Sequence, residues 1–186
     1  MKQAEAHLKS ISPYSCSKFH QTEKLPKELH DDYERRTWRE RCNYNKDGYV
    51  FIPPMAFKKC VAMAATFLKE KIPGEGKATW TKHLNSGVLV LEGLVLPVLK
   101  NEVEGEWFHV PSDGRTGGST RVSKCFPVIR EWEGRVVFEI LDDKITEDVF
   151  HRHLIESGKF IGVGRFRPER GGFYGRFIVQ DFVWVE

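Results

Sequence analysis

Residues 162–177 read GVGRFRPERGGFYGRF. Five of these sixteen residues are Gly, four are Arg, four are aromatic, and Glu169 is the only acid. Two nucleotide-binding chemistries fail on spacing. Gly162 and Gly164 open a dinucleotide fingerprint, but its third glycine position holds Arg167, and Pro168 follows where a helix should start. No Gly-Lys-Ser/Thr closes a phosphate loop of the Walker type. Two readings remain. One is a glycine-rich connection that permits a tight chain path. The other is a clamp for a nucleic-acid backbone. In that clamp Gly162, Gly164, Gly171 and Gly172 leave backbone N–H groups open to phosphate oxygens. Arg165, Arg167, Arg170 and Arg176 supply charge and bidentate donors. Phe173 or Tyr174 offers a face to an unpaired base, with Phe166 as a third platform, while Phe166 and Tyr174 serve equally well as core anchors that fix the loop.

A second basic stretch, 114–124, holds Arg115, Arg121 and Lys124 with no acid. The whole chain has 29 Lys and Arg against 26 Asp and Glu, a formal net charge of +3. That balance alone announces no polyanion. The uneven distribution does, because both basic stretches are also rich in glycine.

Other chemistry is thinner. His20, His83 and His109 sit in loop-like contexts suited to acid–base work, at no diagnostic spacing. Asp31, Asp32 and Asp113 are carboxylates in loop-like contexts. His151 and His153 lie two apart on an expected helix and so do not share a face. Cys16, Cys42, Cys60 and Cys125 form no C-x-x-C pair and no zinc-type cluster. No metal or cofactor is therefore expected. The cysteines read as thiols of a reducing cytoplasm, with Cys60 in the core. No apolar run reaches membrane-spanning length and no leader-type segment follows Met1, so no membrane partner is expected.

The elements that must position these residues follow from periodicity. An edge strand is expected at 7–12, ending at Pro13. The charged stretch 25–42 is a short helix or an ordered loop, with Arg35, Arg36, Arg39 and Arg41 in salt bridges or a subunit contact. Asn45-Lys46-Asp47-Gly48 is a turn, followed by a strand at 49–52. Pro53-Pro54 opens a helix at 55–71, because proline suits a helix's first turn. Phe57, Val61, Ala64, Ala65 and Leu68 form its apolar stripe. TWTKH at 79–83 reads as a solvated loop anchored by Trp80. A buried strand at 87–98, broken at Glu92-Gly93, precedes a hairpin tip at 105–124. Strands at 126–132 and 135–141 join at Glu133-Gly134. A helix at 146–157 starts from Thr146 as N-cap, and 176–185 is the closing strand. The order β-α-β-β-α-β predicts an α+β, ferredoxin-like (RRM-like) domain spanning 1–186, with insertions at about 13–52 and 100–133. Both helices would cover one sheet face and leave the other available.

Three segments resemble a known family. ISPYSCS at 11–17 resembles a first strand and its following turn, and DGYVFIPPMAFKKCVAMAATFL at 47–68 a Gly-hydrophobic-Ile-Pro segment that enters a helix. The stretch from 162 is similar to the glycine-rich loop before a last strand. Together they resemble the RAMP (repeat-associated mysterious protein) superfamily of CRISPR effector complexes, and within it the backbone subunit that polymerises along guide RNA. The resemblance implies a modified RNA-recognition fold, basic loops on a single strand, a hairpin thumb at 105–125 and side-by-side oligomerisation. The chain is shorter than typical backbone subunits, which leaves open a stand-alone or virus-borne relative. The expected partners are single-stranded RNA, ahead of DNA, together with further copies of the chain or other nucleoprotein subunits. A protein-interaction module that docks on or mimics such a subunit is the alternative. A metal-independent endoribonuclease is a weaker one, and the resemblance also implies that a loop carboxylate such as Asp31, Asp32 or Asp113 is open to a role in strand cleavage.

Overall fold

A computed structural model describes residues 2–112 and 120–186. Asp113 and Arg115 lie outside the described residues. The fold is α+β. Strand β1 (Lys2–Ser10) alternates strictly, with Ala4, Ala6 and Leu8 buried and polar residues between them. It pairs antiparallel with β8 (Glu133–Ile140) on one side and with β9 (Phe177–Val185) on the other. The short β4 (Val88–Leu89) pairs with the far side of β8, giving the order β4-β8-β1-β9. The expected edge strand is thus a central one. Its polar alternate positions all point to the open sheet face, and that pattern mimics an edge.

Helices α2 (Pro54–Leu68) and α4 (Glu147–Glu156) cover the opposite face. Phe57, Val61, Ala64 and Ala65 of α2 and Val149, Phe150 and Leu154 of α4 share one core with Ala4, Ala6, Val136 and Phe138. Phe150 meets Phe138 edge-on at 5.2 Å. Burying such a ring is worth about 1.5–3 kcal/mol. The two alanines of β1 let the helices approach closely. On the open face the register places Gln3, Glu5, Arg135, Glu139 and Val183, with no Phe, Tyr or Trp from these four strands. Helix α2 ends before the expected residue 71, because Lys69 adopts a left-handed conformation with φ 50°. Thr146 holds the N-cap position of α4 without a side-chain cap bond.

The remaining segments build a second layer. β6 (Glu104–Pro111) and β7 (Arg121–Ile129) form an antiparallel hairpin, and β2 (Tyr14–Ser15) joins its outer edge. Helix α1 (His30–Thr37) and a tight turn at Trp38–Arg41 brace this hairpin. Glu34 is the brace. Its carboxylate accepts from Arg41 at 2.7 and 3.0 Å and from the Cys125 amide at 2.7 Å. Arg36 pairs with Glu28, while Arg35 and Arg39 lie over Trp107 and Trp38. The expected strand at 87–98 does break at 92–93, but its halves part company. β4 stays in the main sheet, and β5 (Leu94–Leu99) pairs with β3 (Tyr49–Ile52). Gly93 sits so close to the Ile52 carbonyl that a Cβ would lie 2.6 Å from it. The 79–83 stretch is no loop either. α3 (Thr81–Ser86) begins there, with Trp80 buried just before it. Among the described residues no helix is long and apolar enough to cross a membrane.

Candidate nucleic-acid interface

The 162–176 loop doubles back on itself. The Val163 amide donates to the Gly175 carbonyl at 3.0 Å, Tyr174 to Phe166 at 3.2 Å and Gly172 to Arg167 at 3.0 Å. It is also tied to the turn after β1. The Arg165 amide donates to Ser15 at 2.9 Å, Gly175 to Pro13 at 2.7 Å, and Arg176 to the Ser12 hydroxyl at 2.9 Å. Gly162 and Gly171 likewise donate to Ser157 and Pro168. Of the glycines expected to offer N–H groups to phosphate, Gly162, Gly171 and Gly172 are therefore occupied. The glycines serve close packing instead. A Cβ on Gly172 would lie 1.8 Å from the Phe166 carbonyl oxygen, and one on Gly164 would lie 2.6 Å from the Tyr14 ring. Gly164 alone of the four donates to no backbone carbonyl among the described residues.

The arginines diverge. Arg165 is half-buried, its guanidinium 3.6 Å from the Phe126 ring centroid and 4.9 Å from that of Phe108. Burial holds its pKa below the usual arginine range, and one terminal nitrogen has no hydrogen-bond partner. The aromatic faces support its charge alongside Tyr174 and the nearby Glu106 carboxylate. Arg167 pairs with Glu169 at 2.9 Å, and Arg170 with the same carboxylate at 3.2 Å. Arg176 donates from Nε to the Lys159 carbonyl at 3.2 Å. Of the two rings expected to stack on a base, Tyr174 is buried, and its hydroxyl donates to Glu106 at 2.5 Å. Burial first, and Glu106 second, push that phenol's pKa up. Phe173 is 57% exposed.

On the hairpin, Lys124 stands opposite Phe108, on the face where Arg165 stacks. Arg121 falls on the other face, with Nη1 on the His109 carbonyl. The sequence-named cations therefore separate. Arg165 and Arg167 lie together in the loop with Lys124 on the hairpin face where Arg165 stacks, Arg170 shares Glu169 with Arg167, and Arg121 falls on the other hairpin face.

A cleft of about 320 Å³ opens between the loop, the first half of α2 and the segment after β2. Four cations line it, Lys18, Lys59, Arg165 and Arg167, and no acid does. Pro53 and Ala56 place the N-terminal end of α2 at its wall, where the helix dipole adds positive potential. Lys18 and Lys59 form no ion pair among the described residues. Sequence reasoning passed over both. Lys59 lies off the Phe57–Val61–Ala64 stripe and reads as an ordinary solvent-facing lysine. Lys18 is isolated in a polar run. Tertiary ties bring them to the glycine-rich loop: Lys18 through the bonds from Arg165, Gly175 and Arg176 to Ser15, Pro13 and Ser12, and Lys59 through the packing of α2, where Arg167 reaches Met63.

The acid–base candidates do not converge. His20 contacts Thr22, and His109 lies on β6. His83 meets Asp142 at 2.6 Å and ties α3 to the turn after β8. Burial of Asp142 works against its ionisation, yet His83 and the Lys144 amide outweigh it and hold the carboxyl below its ordinary pKa. No group of three His, Cys, Asp or Glu is placed to hold a metal among the described residues. All four cysteines are free and buried.

No family model matches the chain, and no curated protein does. Among solved structures, the chain is similar to the crystal structure of Cmr6 from Pyrococcus furiosus. The two share 13% sequence identity with a TM-score of 0.47, over 97% of this chain and 98% of that one.

Proposed function

We propose that this chain is a sequence-tolerant, single-stranded nucleic-acid-binding protein of RAMP type, with RNA ahead of DNA as its ligand. The observation that carries the reading is the cleft lined by Lys18, Lys59, Arg165 and Arg167 without an acid. Such a site suits a backbone of phosphates better than a neutral or cationic ligand. The glycine-rich loop, held rigid by its own hydrogen bonds, supplies one wall. Phe173 projects from it as a stacking face. The strand order β4-β8-β1-β9, with α2 between β1 and β4 and α4 between β8 and β9, supports a ferredoxin-like reading of the single domain. The β6–β7 hairpin beside the loop supports a thumb. The open sheet face lacks the aromatic platforms of an RNA-recognition sheet, which favours the cleft over that face as the site.

The test is a titration of a labelled single strand at several salt concentrations. Each phosphate contact contributes about −0.7 to the slope of log K against log salt. Lys18→Gln and Lys59→Gln should each flatten that slope by roughly 0.7, and the pair by about twice that. Unchanged slopes would remove the cleft from the interface. No binding at low salt would overturn the function. It would shift weight to protein docking, for which β9 offers an outer edge unpaired among the described residues, with Ile178, Val183 and Val185 exposed.

A further inference from the structure

The C-terminal half of α2 carries an exposed aromatic pair. Phe67 stacks on Phe160 with ring centroids 5.2 Å apart and planes at 29°. The two are 58% and 46% exposed, whereas Phe57, Phe138, Phe150 and Phe177 are fully buried. The pair walls a groove of about 450 Å³ that Met63, Pro168 and Arg176 help to line. Met63 also lines the cationic cleft. Lys59, Met63 and Phe67 follow one another at four-residue spacing, so they form one stripe along α2. The helical rise separates Lys59 from Phe67 by about 12 Å along the axis. The groove therefore continues the floor of the cleft. Its rim stays cationic. Arg176 lines it, and Arg167 reaches the Met63 sulfur at 3.7 Å. The acid at the rim, Glu169, is held between Arg167 and Arg170.

We propose that this groove receives an unpaired nucleobase from the strand whose phosphates lie in the cleft. The inference rests on the single-strand reading above and adds a second subsite to it. A nucleotide presents a flat π surface joined to an anion. The groove presents two ring faces, a polarisable thioether and a guanidinium in matching order. An apolar side chain from a protein would use the rings and leave the cationic rim unanswered. Stacking here accepts any base, since every base has a π face.

The experiment compares wild type with Phe67→Ala, Phe160→Ala and the double variant. Each is titrated against a mixed-sequence single strand and an abasic strand of equal length, at several salt concentrations. The double variant should bind the base-bearing strand roughly tenfold or more weakly. Its affinity for the abasic strand and its salt slope should not change. Lys59→Gln should do the reverse, flattening the slope on both strands alike. If the double variant holds the base-bearing strand as tightly as wild type while Lys59→Gln flattens the slope, the groove takes no base. The cleft reading then survives, and the groove is a protein contact. If wild type binds neither strand, both readings fall. Should the double alanine variant melt early, Phe67→Leu with Phe160→Leu keeps apolar bulk, removes the flat faces and carries the same expectation.

Discussion

Gly175→Ala tests whether the cleft wall is as tightly folded on itself as its geometry states. Gly175 has φ 80°, and an added Cβ would lie 1.8 Å from the Val163 carbonyl oxygen. A left-handed conformation costs a residue with a Cβ about 1–2 kcal/mol. The close atom is backbone, so it cannot swing aside as a side chain would. Relief requires the two arms of the loop to part, and the bond from the Val163 amide to Gly175 goes with them. Losing one such bond adds about 0.5–1.5 kcal/mol. The sum is about 1.5–3.5 kcal/mol, which lowers Tm by roughly 3–14 °C for a chain of this size. Gly171→Ala is the control. It shares the positive φ, at 72°, but its Cβ would meet nothing within 4 Å. Only the conformational term applies there, about 2–8 °C by the same conversion. Differential scanning calorimetry on the two variants gives the comparison. Equal losses would refute the close approach of 163 to 175. A larger loss for Gly171→Ala would refute the loop geometry as a whole.

Two further outcomes follow from the buried ionisable groups. Glu34→Ala leaves Arg41 inside the structure without its carboxylate and strips the Cys125 amide of its acceptor. Breaking a buried pair in this way costs about 3–5 kcal/mol, measured by urea denaturation, and a loss below about 1 kcal/mol would remove Glu34 as the brace between α1 and the hairpin. His153 is buried, with Nδ1 on the Val149 carbonyl and Glu70 4.0 Å from Nε2, and its burial lowers its pKa below the ordinary 6.5. The unfolded chain therefore binds its proton first as pH falls, so stability is full above the unfolded value and declines as pH drops through the folded one. Urea midpoints between pH 7.5 and pH 5.5 should fall, and His153→Gln should flatten the fall. An undiminished pH dependence in that variant would assign the effect to another group.

Much of the main sheet and both covering helices could be read from the chain. Pro53-Pro54 and the Phe57–Leu68 stripe define α2 because a helix start and an apolar face are local properties. Strand partners are not local. β1 alternates like an edge strand, and only its pairing with β8 and β9 shows that it is central. β4 and β5 look like one strand with a break, since hydrophobic runs do not say which sheet they join. The candidate site was legible in part. Gly and Arg density in 162–176 marks an unusual loop. Glycine nonetheless serves close packing and ligand approach equally well in a sequence, and the space around Gly172 and Gly175 decides for packing. Arg165 looked like a free donor, but the two rings that hold it come from the hairpin, more than 30 residues earlier in the chain. Lys18 and Lys59 carry no motif, and only tertiary contacts, the ties at Ser12, Pro13 and Ser15 for one and the packing of α2 for the other, make them neighbours of that loop.

The ties from Ser12, Pro13 and Ser15 to residues 165, 175 and 176 also set when the cleft can exist. One wall is synthesised near the start of these residues and the other near their end. β1 likewise leaves the ribosome long before β8 and β9 supply its partners. At about 5–20 residues per second that wait is on the order of ten seconds. During it, β1 and Lys18 are present without the opposite wall of the cleft. A growing chain therefore cannot close the cleft before residues 162–176 emerge. Both walls are in place only once the main sheet has its full set of strands.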